Sequence, residues 1–148
     1  RLMAFNMTIP GVPVIFYGDE IGLPGANDPD NRRWMKFNDL TDEEKDLLET
    51  VKKLIKLRKS NMEFLYGDFI PLLLSGDTYA YARNYFGEAS IVVFNKSKDT
   101  QQISIDLPGI LVGDEFNPQF GSSVGVTNHQ LQVTLEGNSF EVLHVSNI

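Results

Sequence analysis

Two hydrophobic rhythms divide the chain. Leu47, Leu48, Val51, Leu54, Ile55 and Arg58 fall on one stripe at three- and four-residue spacing, with Lys52, Lys53, Lys56 and Lys59 around the other side. Thr41-Asp42-Glu43-Glu44 precedes the stripe in the form of a capping box, and Ser60-Asn61 closes it. This pattern predicts one helix of about 19 residues whose apolar side needs a partner surface. After Tyr66-Gly67 the period becomes two. Phe69 to Leu74, Thr78 to Tyr85, Ser90 to Asn95, Gln101 to Leu107, Gln130 to Leu135 and Ser139 to Val145 read as short strands, separated by Gly-Asp, Gly-Glu, Lys-Asp, Pro-Gly and Gly-Asn turns. That spacing predicts an antiparallel sandwich.

The first forty residues follow neither rhythm. Residues 1–9 read as the end of an apolar helix broken by Pro10-Gly11, and Val12 to Phe16 form an apolar run interrupted only by Pro13. An unrelieved apolar strand is expected where both faces are covered, as in a parallel barrel wrapped by helices. From Gly18 to Asp39 the composition turns to Gly, Asn, Asp and Pro, a loop too long for a mere connection. The fold class expected is therefore α+β: the last strand and helices of a (β/α)8 barrel over residues 1–62, then an all-β antiparallel sandwich over 63–148.

Charge sharpens that boundary. The net charge is −7, yet residues 1–60 hold ten Lys/Arg against ten Asp/Glu, whereas residues 61–148 hold three against ten. An acidic surface so poor in cations repels phosphate backbones and argues against nucleic acid and anionic lipid as partners. No run of about 20 apolar residues is present, so no membrane span is expected. The absence of cysteine excludes disulfides and thiolate chemistry. At 148 residues the chain falls short of the roughly 250 that a full barrel needs, and Arg1-Leu2-Met3-Ala4-Phe5 reads as the middle of a helix, so the expectation is a piece of a longer enzyme.

Asp19 and Glu20 are adjacent carboxylates, but at the end of a strand successive side chains point to opposite faces. They cannot converge on one glycosidic bond as a retaining glycosidase requires; one is expected to face the barrel interior or mouth and the other to pack behind the loop and fix backbone amides, both in structural roles. Asn27-Asp28-Pro29-Asp30-Asn31-Arg32-Arg33 lies just past the apolar run, at the end of a strand where barrels carry active sites. A carboxylate accepts from two hydroxyls and a guanidinium donates in a fixed fork, which suits a sugar. Asp28 and Arg32, four apart, could equally pair with each other and staple the loop.

Gly11-Val12-Pro13-Val14-Ile15-Phe16-Tyr17-Gly18-Asp19-Glu20-Ile21-Gly22, followed by Gly25-Ala26-Asn27-Asp28-Pro29-Asp30-Asn31-Arg32 and then Met35-Lys36-Phe37, resembles the segment that closes the catalytic barrel in the α-amylase family of glycoside hydrolases, most like its neopullulanase and cyclomaltodextrinase branch. The resemblance implies a parent enzyme that hydrolyses α-1,4-glucosidic bonds of starch-type glucans with retention, using an aspartate nucleophile, a glutamate acid/base and a second aspartate. It implies that all three lie upstream of Arg1, so no catalytic residue is assigned here. It further implies that Asp28 and Arg32 contact a glucose unit at a donor subsite, that Tyr17 lines the barrel mouth, and that the parent works in the periplasm or outside the cell, its leader outside this stretch. Phe37 and Trp34 depart from the family pattern, with Phe37 replacing a usual Trp and Trp34 a frequent Pro. Trp34 is a sugar-stacking platform or a plug between loop and barrel wall.

Other candidates are weaker. His129 and His144 lie in the β-rich part without a second ligand at metal spacing, and read as structural. Gly121-Ser122-Ser123 reads as a turn. Asp114-Glu115 and Asp28-Pro29-Asp30 lack a calcium-loop pattern, so no cofactor is expected from this stretch, although the resemblance admits calcium in the parent. A different class of function rests on Tyr79, Tyr81, Tyr85 and Phe86. The three tyrosines share strand parity, and exposed coplanar rings would make the β-rich part a carbohydrate-binding module, whereas buried ones would make it a support for the barrel. Because the barrel-type segments have no barrel here, residues 1–40 are expected to be loosely ordered or packed against another copy, and the chain to self-associate.

Overall fold

A computed structural model describes residues 1–111, 113 and 115–146; Asp114 of the Asp114-Glu115 pair lies outside them. Three helices, α1 (Leu2–Thr8), α2 (Asp42–Ser60) and α3 (Met62–Tyr66), precede the strands β1 (Asp68–Ser75), β2 (Thr78–Tyr85), β3 (Glu88–Asn95), β4 (Gln101–Asp106), β5 (Glu115–Pro118), β6 (Ser123–Thr127), β7 (Gln130–Leu135) and β8 (Phe140–Ser146). The strands form a five-stranded sheet in the order β1-β2-β3-β8-β5 and a three-stranded sheet in the order β4-β7-β6, each pairing antiparallel.

Side-chain parity turns these sheets into three layers. Ala80, Ala82, Ile91, Val93, Leu143 and Val145 face the small sheet and bury against Ile103, Ile105, Leu131, Val133 and Leu135. Their neighbours of opposite parity, Tyr81, Val92, Phe94 and Val142, face the helices and bury against Ala4, Met7, Leu54 and Phe64. The central strands of the large sheet are thus covered on both faces, and Ile91-Val92-Val93-Phe94 is a continuous apolar run for that reason. In β4 and β7, which show one face to solvent, burial alternates. Each large apolar side chain in these cores contributes about 1.5–3 kcal/mol by burial.

The capping box at the start of α2 forms as expected: the Glu44 amide donates to Thr41 Oγ1 at 3.3 Å, and the Thr41 amide donates to Glu44 Oε2 at 2.7 Å. Val51, Leu54 and Arg58 are the buried positions of its stripe. Arg58 is there to serve α1. Its guanidinium donates to the carbonyls of Met7 and Ile9, which the end of α1 leaves without intrahelical partners, and to that of Gly11 just beyond. From the sheet, Arg83 donates to the carbonyls of Thr8, Phe64 and Gly67. Two buried forks therefore clamp the C-terminal end of α1, where the helix dipole also favours cations. Gly67 permits this junction, because a Cβ there would stand 2.4 Å from the Glu63 carbonyl oxygen.

Four expectations change. Val12 to Phe16 form no strand: the segment has no hydrogen-bonded neighbour strand among the described residues, and Val12, Val14 and Phe16 are exposed. A strand exists only with a partner, and the apolar composition alone does not supply one. α1 is not loose; Ala4, Met7 and Thr8 are buried against the sheet and α2. β5 and β6 are additional strands. Both are edges with few buried side chains, which leaves little periodic signal in their sequence. α3 is a short additional helix in the stretch read as a boundary, and its Phe64 joins the same core as α1 and α2. Pro71 is accommodated at a register shift in β1, an edge strand that needs no donor there.

Candidate functional site

The loop between the Val12–Phe16 segment and α2 is built on two short 3-10 turns. The first, Asp19–Ile21, is bounded by Gly18 and Gly22 in the left-handed region, at φ +92 and +68. Asp19 Oδ2 accepts from the Phe16 amide at 3.3 Å and Glu20 Oε2 from the Gly18 amide at 2.8 Å. Both carboxylates hold backbone, where only one was expected to, because a turn rather than strand parity separates them. Ile21 is buried where this turn meets α2 and anchors the loop.

The second turn, Asp30–Arg32, carries the charged cluster. Arg32 Nε lies 2.7 Å from Asp28 Oδ1, with both side chains more than half exposed. The adjacent pair is bidentate: Arg33 Nε donates to Asp30 Oδ1 at 2.8 Å and Nη2 to Oδ2 at 2.9 Å. That fork holds the Asp30 carboxyl below its usual range, and Asp30 in turn raises Arg33. Asp30 and Arg33 were not singled out in the sequence, although their three-residue spacing in the same loop is the signal for such a pair. Tyr17 Oη donates to the Arg33 carbonyl at 3.0 Å, joining the start of the loop to its end. Tyr17, Asp19, Leu23, Asn31 and Arg33 line a shallow cleft of about 230 Å³.

The four residues expected to bind substrate are thus not brought into one pocket. Tyr17 lines the cleft, Asp28 and Arg32 form an exposed pair with each other, and Trp34 projects with 95% of its surface exposed. Among the described residues Trp34 plugs nothing. Phe37 is 80% exposed. Asp28, Arg32, Trp34 and Phe37 stand exposed on this loop, and a carboxylate, a guanidinium and open aromatic rings are groups able to contact a polyhydroxylated chain.

In the β-rich part Tyr79 and Tyr81 belong to the core and form no exposed coplanar platform. Tyr81 is fully buried, and its hydroxyl pairs with that of Thr8 on α1, while burial pushes its phenol far above the usual value. Tyr79 packs with Tyr81 and Phe94 on this helix-covered face. Tyr85 and Phe86 meet at 83°, far from coplanar. The expected aromatic face is core because helices, unseen in the strand pattern, cover it. His129 sits exposed in the β6–β7 turn, and His144 Nδ1 lies 3.6 Å from the buried Glu63 carboxylate, which accepts from Ser90 Oγ at 2.6 Å. Gly121 and Ser122 lie in the connection before β6, which begins at Ser123. Among the described residues no three His, Cys, Asp or Glu side chains are grouped to hold a metal ion. No described helix is long and apolar enough to cross a membrane.

No protein-family model matches the chain. It is 38% identical over 104 residues to a cyclomaltodextrinase of Thermoanaerobacter pseudethanolicus, covering 70% of this chain and 18% of that enzyme. It is 39% identical over 112 residues to an amylopullulanase of Thermoanaerobacter thermohydrosulfuricus, covering 68% of this chain and 7% of that enzyme. The structure superposes on an Anoxybacillus α-amylase with a TM-score of 0.86 at 29% identity, over 99% of this chain and 31% of the amylase. The chain spans about a fifth or less of the length of the curated relatives it matches. Shared sequence and a shared arrangement of helices and sheets place it in the α-amylase family of glycoside hydrolases, matching the C-terminal portion of those enzymes.

Proposed function

We propose that this chain is the part of an α-glucan-hydrolysing enzyme that supplies a sugar-binding loop and a barrel-supporting β-domain, with the reaction carried out by carboxylates outside it. Residues 1–62 belong in this reading to the barrel and residues 63–148 to the β-domain. One observation carries the reading: the Asp28–Arg32 pair and the Trp34 ring stand open on a loop whose other members are tied down by Tyr17, Asp30 and Arg33. A glucose unit at a donor subsite would exchange the exposed ion pair, worth little in water, for hydroxyl contacts that both charged groups can make. Asp19 and Glu20 are occupied by backbone amides, which supports assigning them no part in acid/base chemistry.

The test is made in the intact enzyme with maltooligosaccharides. Asp28→Ala and Arg32→Ala are each expected to lower kcat/KM by about 1.5–3 kcal/mol of transition-state binding, roughly ten- to hundredfold, with the melting temperature unchanged. Wild-type kcat/KM in both variants would leave the pair as a loop staple. The isolated chain is expected to turn over neither starch, pullulan nor cyclodextrin. Turnover that persists through repurification and vanishes in Glu20→Gln would place catalysis within this chain.

A further inference from the structure

Little holds the loop that carries Asp28, Arg32 and Trp34 to the rest of the fold. From Gly22 to Leu40 no residue is buried, so no apolar core fixes this stretch. The Asp28–Arg32 and Asp30–Arg33 pairs join loop only to loop. Among the described residues a single hydrogen bond runs from residues 22–40 to a helix or strand: Lys36 Nζ donates to Glu44 Oε2, on the first turn of α2, at 2.5 Å.

This contact differs from an ordinary surface ion pair. The Lys36 and Glu44 side chains are 32% and 20% exposed, so water and salt screen them less than the open Asp28–Arg32 pair. Glu44 is also held independently of Lys36, because the same Oε2 accepts from the Thr41 amide at 2.7 Å in the capping box. An anchor that is already ordered costs little further entropy to engage. The chain between the two residues is short and turns back at Asp39, in the left-handed region at φ +56. Tyr17 Oη meanwhile holds the Arg33 carbonyl at 3.0 Å. Arg33 and Lys36 are therefore two fixed points, with Trp34 between them and Arg32 immediately before.

We infer that Lys36 and Glu44 are positioning residues, whose ion pair straps the Arg32–Trp34 stretch to α2 and presents its sugar-contacting groups in one arrangement. The inference rests on the sugar-binding reading of the Asp28 loop and adds to it two residues that touch no sugar. A released loop binds less tightly in proportion to the time it spends outside the competent arrangement. That cost is met before the complex forms and falls equally on ground state and transition state, so it enters KM and spares kcat.

The experiment uses the intact enzyme with maltooligosaccharides. Lys36→Met keeps an unbranched stem without the charge, and is expected to raise KM about fivefold at unchanged kcat. Glu44→Gln can still cap the helix and is expected to match it, whereas Lys36→Arg should stay within about twofold of wild type. In an Asp28→Ala, Arg32→Ala background the Lys36→Met effect should shrink below about twofold, because the charged groups it positions are gone. Hydrogen exchange read by mass spectrometry reports the strap without reference to activity. The Asp30 and Arg32 amides, which donate to the Asn27 and Pro29 carbonyls, should exchange faster in Lys36→Met and as in wild type in Lys36→Arg. Unaltered exchange in Lys36→Met, a loss in kcat rather than KM, an equal loss in Lys36→Arg, or an undiminished effect in the doubly substituted background would each overturn the proposal. Failure of the sugar-binding reading shows separately, as wild-type kcat/KM in both Asp28→Ala and Arg32→Ala.

Discussion

Glu141 on β8 is fully buried and its carboxylate faces backbone amides. Oε1 accepts from Gln119 and Val142 at 2.9 Å and from Phe120 at 2.7 Å, and Oε2 accepts from Ser122 at 2.9 Å. This carboxylate fixes the connection between β5 and β6, and that connection in turn meets α2. Lys53 donates to the Gln119 carbonyl and lies 4.6 Å over the Phe120 ring. Glu141→Gln keeps the shape and changes the donor count. The amide oxygen can retain the three bonds of Oε1, but its NH2 group would then face the Ser122 amide, donor against donor. One amide loses its acceptor, at about 1–3 kcal/mol, and the other three bonds fall from charged to neutral strength. Relief from burying a charge offsets part of this. The net expected loss is about 2–4 kcal/mol, which for a chain of this size lowers the melting temperature by roughly 4–16 °C. Thermal unfolding followed by circular dichroism measures the total. Hydrogen exchange locates it: Ser122 should lose protection first, ahead of Gln119 and Phe120, with β3 unaffected below the global transition. A melting temperature within about 1 °C of wild type, together with unchanged Ser122 protection, would refute the reasoning.

Two further outcomes follow. The Glu44 carboxyl is held below its ordinary value of 4.5, first by the Lys36 ammonium and then by the Thr41 amide. A depressed folded value means that its contribution to stability is complete above pH 4.5 and is lost as the pH falls through the lower folded value. The melting-temperature difference between wild type and Glu44→Gln is therefore expected to be constant near neutrality and to close progressively below pH 4.5; a difference that grows on acidification contradicts the capping arrangement. Val12, Val14 and Phe16 are 90%, 73% and 56% exposed in one short segment, and light scattering of the isolated chain should show association that a Val12→Ser, Val14→Ser, Phe16→Ser triple variant abolishes. A monomeric wild-type chain at the same concentration would remove that segment as the cause.

The sequence alone determined what local interactions decide. Thr41 and Glu44 close a capping box with their own backbone, so α2 starts where the sequence places it, and the stripe through Val51 and Leu54 fixes the face it buries. Alternation and turn residues located β1 to β4, β7 and β8. The loop motif around Asp28 and Arg32 identified the family, because its residue order is specific whatever the loop packs against. The sequence left open whether that pair staples the loop or meets a sugar, and in the structure the two side chains pair with each other, exposed.

Tertiary structure decided what depends on neighbours distant in the chain. Arg58, Arg83 and Glu141 are buried charges whose partners are backbone carbonyls and amides, groups that every residue carries and that no residue pattern marks. Strand parity puts Tyr79 and Tyr81 on one face without saying what covers it, and α1 lying across that face makes it core. The apolar run Val12 to Phe16 has the composition of a strand without one, since a strand is a relation between two segments and only the fold determines whether the second is present.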